Sequence, residues 1–193
     1  MPRALVLYAH PCADSYSAAL CGVVVDRLRG RGWEVDLCDL YAEGFDPVLT
    51  AEERRAYLDT GRNTAPVRAH VERLRAAEAL VLVYPTWNFG MPAILKGYID
   101  RVFLPGVSFV LKDGLVAPGL THVRKLAVVT SYGATPLRAF LAGNPPKRFV
   151  TRVLRYICRP ARLRYLALYD MNRATEAQRR AFLTRIAREM DRL

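Results

Sequence analysis

Runs of consecutive apolar residues alternate along the chain with runs whose apolar positions recur at helical spacing. The first kind of run predicts strands and the second predicts helices. The predicted strands cover residues 4–9, 33–40, 79–84, 125–131 and 162–171, and the predicted helices cover residues 18–32, 65–78, 91–103, 145–159 and 175–193. Because strands and helices alternate, we expect a parallel sheet with helices on both faces, in one three-layer α/β domain over residues 1–193.

Two further features refine the predicted helices. Thr50 precedes the acidic stretch "AEERRAYL" and predicts an additional capped helix, and Thr175 or Asn172 is expected near the cap of the last helix. The helix predicted at 145–159 is amphipathic: one face carries Phe149, Val150, Val153, Leu154 and Ile157, and the other carries Arg148, Arg152, Arg155 and Arg159.

The composition is that of a folded protein, with 52% hydrophobic and 24% charged residues, but the charge is unevenly placed. Residues 1–100 carry 11 basic and 13 acidic side chains, whereas residues 101–193 carry 18 basic and 5 acidic ones. The basic half is compatible with a surface for nucleic acid, for anionic lipid or for phosphorylated ligands. It is equally compatible with a simple preference for arginine on solvated faces, since 25 of the 29 basic residues are Arg.

Several classes of protein are not expected. The four cysteines, Cys12, Cys21, Cys38 and Cys158, show neither paired nor metal-ligand spacing with the three histidines, so we expect reduced thiols, no disulfide and no metal. No apolar run reaches membrane-spanning length or resembles a signal peptide, and we expect a cytoplasmic protein. The basic helix lacks the interleaved aromatic residues that stack on bases, so nucleic-acid binding is not expected.

Ligands of open α/β sheets bind beyond the carboxyl ends of the strands. The loops that follow the first, third and fourth predicted strands, residues 10–17, 85–90 and 130–144, are therefore the candidate site. In the first loop, Ser15 and Ser17 lie where a helix begins, at a position suited to phosphate binding or to simple helix capping by Asp14, Ser15 or Ser17. His10 fits either a structural hydrogen bond or a bond to a ligand.

The other two loops offer complementary chemistry. Trp87 and Phe89 can form the wall of a site for a flat ring, with Asn88 and backbone N–H groups at its polar rim, or they can be buried in a dimer interface. After the fourth strand, "TSYGATP" adds the hydroxyls of Thr130 and Ser131 and a glycine that permits close backbone approach.

With these motifs in hand, the sequence resembles the flavodoxin-like NAD(P)H:quinone oxidoreductase family. The resemblance is strongest at "YPTWNFGMPAILKGYIDRVF" and "PGVSF", extends to "AHPCADSYS", and is weaker between residues 131 and 160. It implies a flavodoxin-like fold with strand order 2-1-3-4-5, a tightly bound flavin and a homodimer. It implies that the phosphate-binding loop contains His10, Ser15, Tyr16 and Ser17, that the ring-binding loop contains Pro85, Thr86, Trp87, Asn88 and Phe89, and that the pyrimidine edge meets Thr130, Ser131, Tyr132 and Gly133.

The sequence also departs from the family pattern. The family's Thr-Thr-Gly-Gly is "TSYG" here, which places Tyr132 where a glycine lets the backbone lie close to the flavin. In an alignment without gaps, the family's catalytic tyrosine and histidine fall on Arg138 and Asn144, and neither is a neutral proton relay. Tyr132 and Arg138 are therefore our candidate catalytic residues, with Arg138 and the backbone of residues 131–134 stabilising negative charge on the reduced flavin.

The function implied is hydride transfer from NAD(P)H through the flavin to a quinone-like or other small electrophilic acceptor. FMN is expected rather than FAD, because no residue indicates a groove for adenosine and the chain ends at the closing helix. NADPH is favoured as the donor because the basic half of the chain suits its additional phosphate. An alternative is a flavin-bound ancillary subunit of a membrane transporter, with the arginine-rich helix against anionic lipid or an acidic partner. A flavodoxin-type electron carrier is disfavoured by the basic charge.

Overall fold

A five-stranded parallel sheet forms the centre of the computed structural model, which describes residues 1–112 and 114–193. The strands are β1 (Arg3–Tyr8), β2 (Glu34–Asp39), β3 (Ala79–Thr86), β4 (Phe109–Lys112), β5 (Leu115–Pro118), β6 (Lys125–Tyr132) and β7 (Arg162–Leu168). The sheet has the order β2-β1-β3-β6-β7. Strands β4 and β5 form a separate antiparallel hairpin, so this is the expected order 2-1-3-4-5 with a hairpin inserted before the fourth sheet strand.

Helices connect the strands and cover both faces of the sheet. They are α1 (Tyr16–Gly30), α2 (Ala51–Ala56), α3 (Arg68–Ala76), α4 (Ala93–Val102), α5 (Pro136–Leu141), α6 (Pro145–Arg148), α7 (Arg155–Cys158) and α8 (Glu176–Met190). Thr50 and Thr175 form the capping boxes of α2 and α8, as the sequence predicted. The described part of the chain contains no helix with the length and hydrophobicity to span a bilayer.

The core has two layers because side chains of a strand alternate between the two faces of the sheet. In β1, Leu5 and Leu7 pack toward the layer formed by α3, α4, α7 and the segment that precedes α7, while Ala4 and Val6 pack toward α1 and α8. Strands β1, β3 and β6 are buried over most of their length, which explains their nearly unbroken apolar sequences.

The helix predicted at residues 145–159 forms with two differences. Its middle, Phe149–Leu154, is π-helical and links α6 to α7. Val150, Leu154 and Ile157 are buried as expected, but Val153, which we had placed on the apolar face, is 47% exposed. The wider π turn rotates successive side chains differently from an α-helix, so a wheel drawn with 3.6 residues per turn misplaces one of them.

Two elements were missed by the sequence analysis. The β4–β5 hairpin is made of short strands whose residues Val110, Leu111, Leu115 and Val116 are largely exposed. Helix α5 follows β6 in what had been treated as a long connection, and it exposes Leu137, Phe140 and Leu141. Neither element has the buried periodic pattern on which the strand and helix predictions relied.

A close backbone contact fixes helix α4 against the segment that follows β2. A Cβ atom added at Gly97 would lie 2.3 Å from the backbone oxygen of Pro47. Arg101, one turn later, reinforces the contact, since its guanidinium bonds the carboxylate of Glu53 at 2.6 Å and also the backbone oxygen of Asp46. Glycine is required at position 97 because backbone, which cannot rotate away, occupies the space.

We therefore expect Gly97→Ala to destabilise the protein by about 1–3 kcal/mol, the usual cost of overpacking. The matched control is Gly22→Ala in α1, where nothing lies within 4 Å of the added methyl group. This control should stabilise the protein by about 0.5–1 kcal/mol, because alanine replaces glycine in a helix interior. Urea unfolding measures both changes, and an unchanged free energy of unfolding for Gly97→Ala would show that the contact is not tight.

Candidate functional site at the carboxyl edge of the sheet

The three predicted loops begin at neighbouring strand ends. Strand β1 pairs with β3 on one side, and β3 pairs with β6 up to the pair Thr86 and Tyr132. The hydroxyls of Thr86 and Thr130 lie 3.0 Å apart, and the rings of His10 and Trp87 meet edge to face with centroids 5.7 Å apart. The structure thus brings the candidate residues of all three loops to one edge. Pro85 and Thr86 belong to β3, and Thr130 to Tyr132 belong to β6, rather than to the loops that follow.

The first loop presents the N-terminus of α1. Ser15 is the N-cap, and its hydroxyl accepts a hydrogen bond from the N–H of Ala18 at 3.1 Å. Ser17 is buried, and the hydroxyl of Tyr16 donates to the backbone oxygen of Arg179 on α8. Tyr16 and Ser17 occupy the first two helical positions, whose N–H groups lack an intrahelical acceptor. The capping role foreseen for Ser15 is therefore present, together with two backbone donors beside it.

His10 has a defined hydrogen-bonding state at this loop. Its Nδ1 atom accepts a hydrogen bond from the N–H of Cys12 at 3.0 Å. A neutral imidazole that accepts at Nδ1 carries its proton at Nε2 and can donate there. A structural hydrogen bond and a bond to a ligand are therefore compatible for His10, because Nδ1 bonds the loop backbone and Nε2 can donate to a ligand.

The turn after β3 has an uncommon backbone. Trp87 and Gly90 exchange both of their backbone hydrogen bonds, at 2.8 and 3.1 Å. Asn88 and Phe89 between them have φ values of 49° and 56°. Positive φ at both central residues defines a type I′ turn, which asparagine tolerates and a bulky aromatic residue rarely adopts. The turn leaves the N–H groups of Asn88 and Phe89 outside its own hydrogen bonds, beside an indole of Trp87 that is 41% exposed.

The segment after β6 is attached to the segment after β7. The backbone oxygen of Ala134 accepts from the N–H of Asp170 at 2.9 Å. A Cβ atom added at Gly133 would lie 3.1 Å from the side-chain amide of Asn172. Asn172 is a site neighbour that the sequence analysis considered only as a possible helix cap, although it follows a strand adjacent to β6 at the same edge.

Tyr132 does not intrude on the edge as the sequence suggested. Its side chain is 1% exposed, and its hydroxyl donates to Asn144 at 2.8 Å and lies 2.5 Å from the hydroxyl of Tyr165. Its ring stacks on Tyr169, with centroids 4.7 Å apart, and burial raises the pKa of its hydroxyl. Side chains alternate along a strand, so Tyr132 turns inward at the position where its backbone reaches the edge. The hydroxyl of Tyr132 is thus engaged by Asn144 and Tyr165, and a catalytic role for this residue stays a prediction.

Asn144 and Arg138, the positions at which the sequence analysis placed the family's histidine and tyrosine, lie in different surroundings. Asn144 has a φ of 44° and joins two tyrosines, since its amide also donates to the hydroxyl of Tyr169 at 3.3 Å. Arg138 lies on α5 with its side chain exposed to solvent. The sequence analysis foresaw neither Tyr165 nor Tyr169 as a neighbour of Asn144, because the three residues converge only through the pairing of β6 with β7.

Comparisons with known proteins agree on the fold. The Escherichia coli (strain K12) NAD(P)H oxidoreductase YcaK is 34% identical over 128 residues, which are 66% of this chain and 64% of that protein. The Rattus norvegicus NAD(P)H dehydrogenase [quinone] 1 is 32% identical over 55% of this chain and 45% of its own length. The chain therefore spans about half to two thirds of the length of these curated relatives.

Solved structures match over nearly the whole chain. Smu.1420 from Streptococcus mutans UA159 superposes with a TM-score of 0.83 at 25% identity, covering 99% of this chain and 100% of that chain. The NAD(P)H:quinone oxidoreductase from Methanothermobacter marburgensis superposes with a TM-score of 0.85 at 23% identity, covering 98% of each chain, a likeness of fold. A family model described as flavodoxin-like fold matches residues 2–192, and the chain belongs to that family.

Proposed function

We propose that the chain is a flavoprotein that uses FMN to pass hydride from NAD(P)H to a quinone-like or other small electrophilic acceptor. One observation carries the proposal: an anion-binding helix start and a flat aromatic surface with outward backbone donors lie at the same edge of the sheet. The contact between His10 and Trp87 joins the two. Names of the relatives, NAD(P)H oxidoreductase and NAD(P)H dehydrogenase [quinone], support the same class of reaction.

The phosphate of FMN fits the start of α1. The N–H groups of Tyr16 and Ser17 and the positive end of the helix dipole suit a dianion, and the hydroxyl of Ser17 lies in the same turn. The Nε2 proton of His10 adds a donor at the adjacent loop. These groups are hydrogen-bond donors, which is the chemistry that a phosphate requires.

The ring system of FMN fits the turn after β3. Trp87 and Phe89 would contact the ring, and the N–H groups of Asn88 and Phe89 would bond its polar atoms. At the neighbouring strand, Gly133 and the backbone of residues 131–133 would meet the pyrimidine edge. When bound, FMN supplies the capacity to accept and release hydride, and the residues named here orient it and exclude water.

Arg138 is the residue that we propose to stabilise negative charge when the flavin is reduced. It is a cation in an exposed position on α5, close in sequence to the segment that would meet the pyrimidine edge. Tyr132 is proposed to contribute its backbone only, because its hydroxyl is engaged by Asn144 and Tyr165. Its buried ring then fixes the position of that backbone.

The assembly proposed is a homodimer. The apolar side chains of Leu137, Phe140 and Leu141 on α5, the helix that follows β6, are exposed and typical of an interface. The relatives reported above are named as oxidoreductases, and they lend no support to the alternative of a transporter subunit. NADPH is the donor that we prefer, since a basic half of the chain suits its additional phosphate.

The purified protein is expected to be yellow and to release FMN on denaturation. It should oxidise NADPH in the presence of a quinone and have the mass of a dimer in sedimentation. Mass spectrometry of the released cofactor and stopped-flow absorbance of the flavin measure the first two properties. A colourless protein that takes up neither FMN nor FAD would contradict the proposal.

The turn geometry can be tested at Asn88. Asn88→Val introduces a β-branched residue at a φ of 49°, which should rearrange the turn and lower the affinity for FMN at least about tenfold relative to Asn88→Gly. Both substitutions remove the side-chain amide, so their difference isolates the backbone. Fluorescence titration of the apoprotein with FMN gives both affinities, and equal values would exclude a role for the turn's backbone conformation.

The role of Arg138 can be tested with a pair of charge variants. Arg138→Gln should lower the two-electron reduction potential of the bound flavin by on the order of 30 mV, a tenfold change in equilibrium. Arg138→Lys keeps the charge and should stay close to the wild type. Added salt should shrink the difference, because the side chain is exposed. Dye-equilibration titrations measure the potentials, and an unchanged potential in Arg138→Gln would remove this residue from the proposal.

A further inference from the structure

A cluster of polar side chains lies beneath the segment that follows β2. Cys38 is buried on β2, Glu43 follows in the next turn, and His70 projects from α3. The Sγ atom of Cys38 lies 3.6 Å from Oε2 of Glu43 and 3.8 Å from Nδ1 of His70. All three potential ligand atoms lie within 4.8 Å of one another. In the part of the chain that the structure describes, this is the one group of three or more such side chains.

The spacing resembles that of ligands around a tetrahedral ion. With metal–ligand distances of about 2.0–2.3 Å for zinc, ligand atoms of a tetrahedral site lie roughly 3.3–3.6 Å apart. The separation of Cys38 from Glu43, 3.6 Å, and that from His70, 3.8 Å, meet or nearly meet this range, and the separation of Glu43 from His70, within 4.8 Å, would shorten on binding. Sulfur, imidazole nitrogen and carboxylate oxygen together favour a borderline-soft divalent ion over magnesium or calcium.

A second observation comes from Tyr98 on α4. Its hydroxyl is buried and makes no hydrogen bond to any residue described in the structure, which is costly for a polar group. Its ring packs edge to face on His70, with centroids 5.4 Å apart. Tyr98 therefore places a buried, unpartnered hydroxyl on a ring that contacts one of the three potential ligands.

We propose that Cys38, Glu43 and His70 bind a divalent metal ion such as Zn²⁺, with the hydroxyl of Tyr98 toward the fourth position. The ion displaces the thiol proton, which leaves as H⁺ to solvent, so that a metal–sulfur bond replaces the S–H bond without any change of oxidation state.

The neighbouring guanidinium of Arg73 is compatible with this site. It bonds Asp36 at 2.6 Å and reaches both oxygens of Glu43, of which only Oε2 faces the thiol. Oε1 can therefore keep its bond to Arg73 while Oε2 turns to the ion. Two carboxylates against one guanidinium leave the cluster one negative charge, and a divalent ion bound with loss of the thiol proton neutralises it.

The site would join three elements of the same layer. Cys38 lies on β2, His70 on α3 and Tyr98 on α4, one residue after the Gly97 contact with Pro47. Binding there would stabilise the native fold without contacting the proposed flavin site. The inference is independent of the proposed function, because none of its ligands belongs to the loops assigned to FMN.

The test uses the purified, cofactor-loaded protein dialysed against a zinc buffer and then against metal-free buffer. We expect elemental analysis to find about one zinc per chain, and X-ray absorption to find one sulfur at about 2.3 Å among nitrogen and oxygen ligands. Cys38→Ser and His70→Gln should retain no zinc. Cys12→Ser and Cys158→Ser remove an exposed and a buried thiol outside the cluster and should retain it fully.

Thermal unfolding checks that each variant folds. If Cys38→Ser or His70→Gln fails to fold, the wild-type protein alone tests the proposal, through the sulfur in its zinc coordination shell and the release of one proton per zinc bound. The proposal is overturned by a wild-type protein that retains no stoichiometric zinc, by a coordination shell without sulfur, or by a folded Cys38→Ser variant that still binds one equivalent.

Discussion

Parallel pairing of three buried strands determines where the candidate site of this molecule lies. In a parallel sheet all carboxyl ends lie at the same edge, and the register of β1, β3 and β6 brings their ends within a few residues of one another. The chain leaves each strand there through a turn or a helix start whose N–H groups have no partner in the sheet. The hydroxyl contact between Thr86 and Thr130 and the ring contact between His10 and Trp87 follow from that shared edge.

Much of this fold could be predicted from the sequence, because a strand that is buried on both faces of the sheet appears in the sequence as a continuous run of apolar residues. Strands β1, β3 and β6 are such runs, and Thr50 and Thr175 mark helix starts by the hydrogen bonds that their hydroxyls can accept. The β4–β5 hairpin and α5 were missed because they expose apolar side chains instead of burying them. The exposure of Val153 depends on a π turn, for which the sequence offers no separate signal.

For the candidate site as well, some features could be predicted from the sequence and others could not. Its location could be predicted from the positions of loops relative to strands, but the direction of a side chain at a strand end could not, and Tyr132 turns inward to meet Asn144 and Tyr165. Contacts between residues distant in sequence were equally inaccessible. Cys38 and His70 are 32 residues apart, a spacing that matches no metal-binding motif, and only the packing of α3 beside β2 brings them together.

The turn formed by Trp87, Asn88, Phe89 and Gly90 has a consequence for recognition. Two residues with positive φ are costly in an isolated peptide, so the rest of the fold must already have met that cost before any ligand arrives. A planar ring docking there would meet a preorganised surface, so the turn would lose little further conformational entropy on binding. Selectivity at this edge would then come from the fixed shape of the turn, which excludes ligands of a different shape, rather than from a loop that changes its conformation for each ligand.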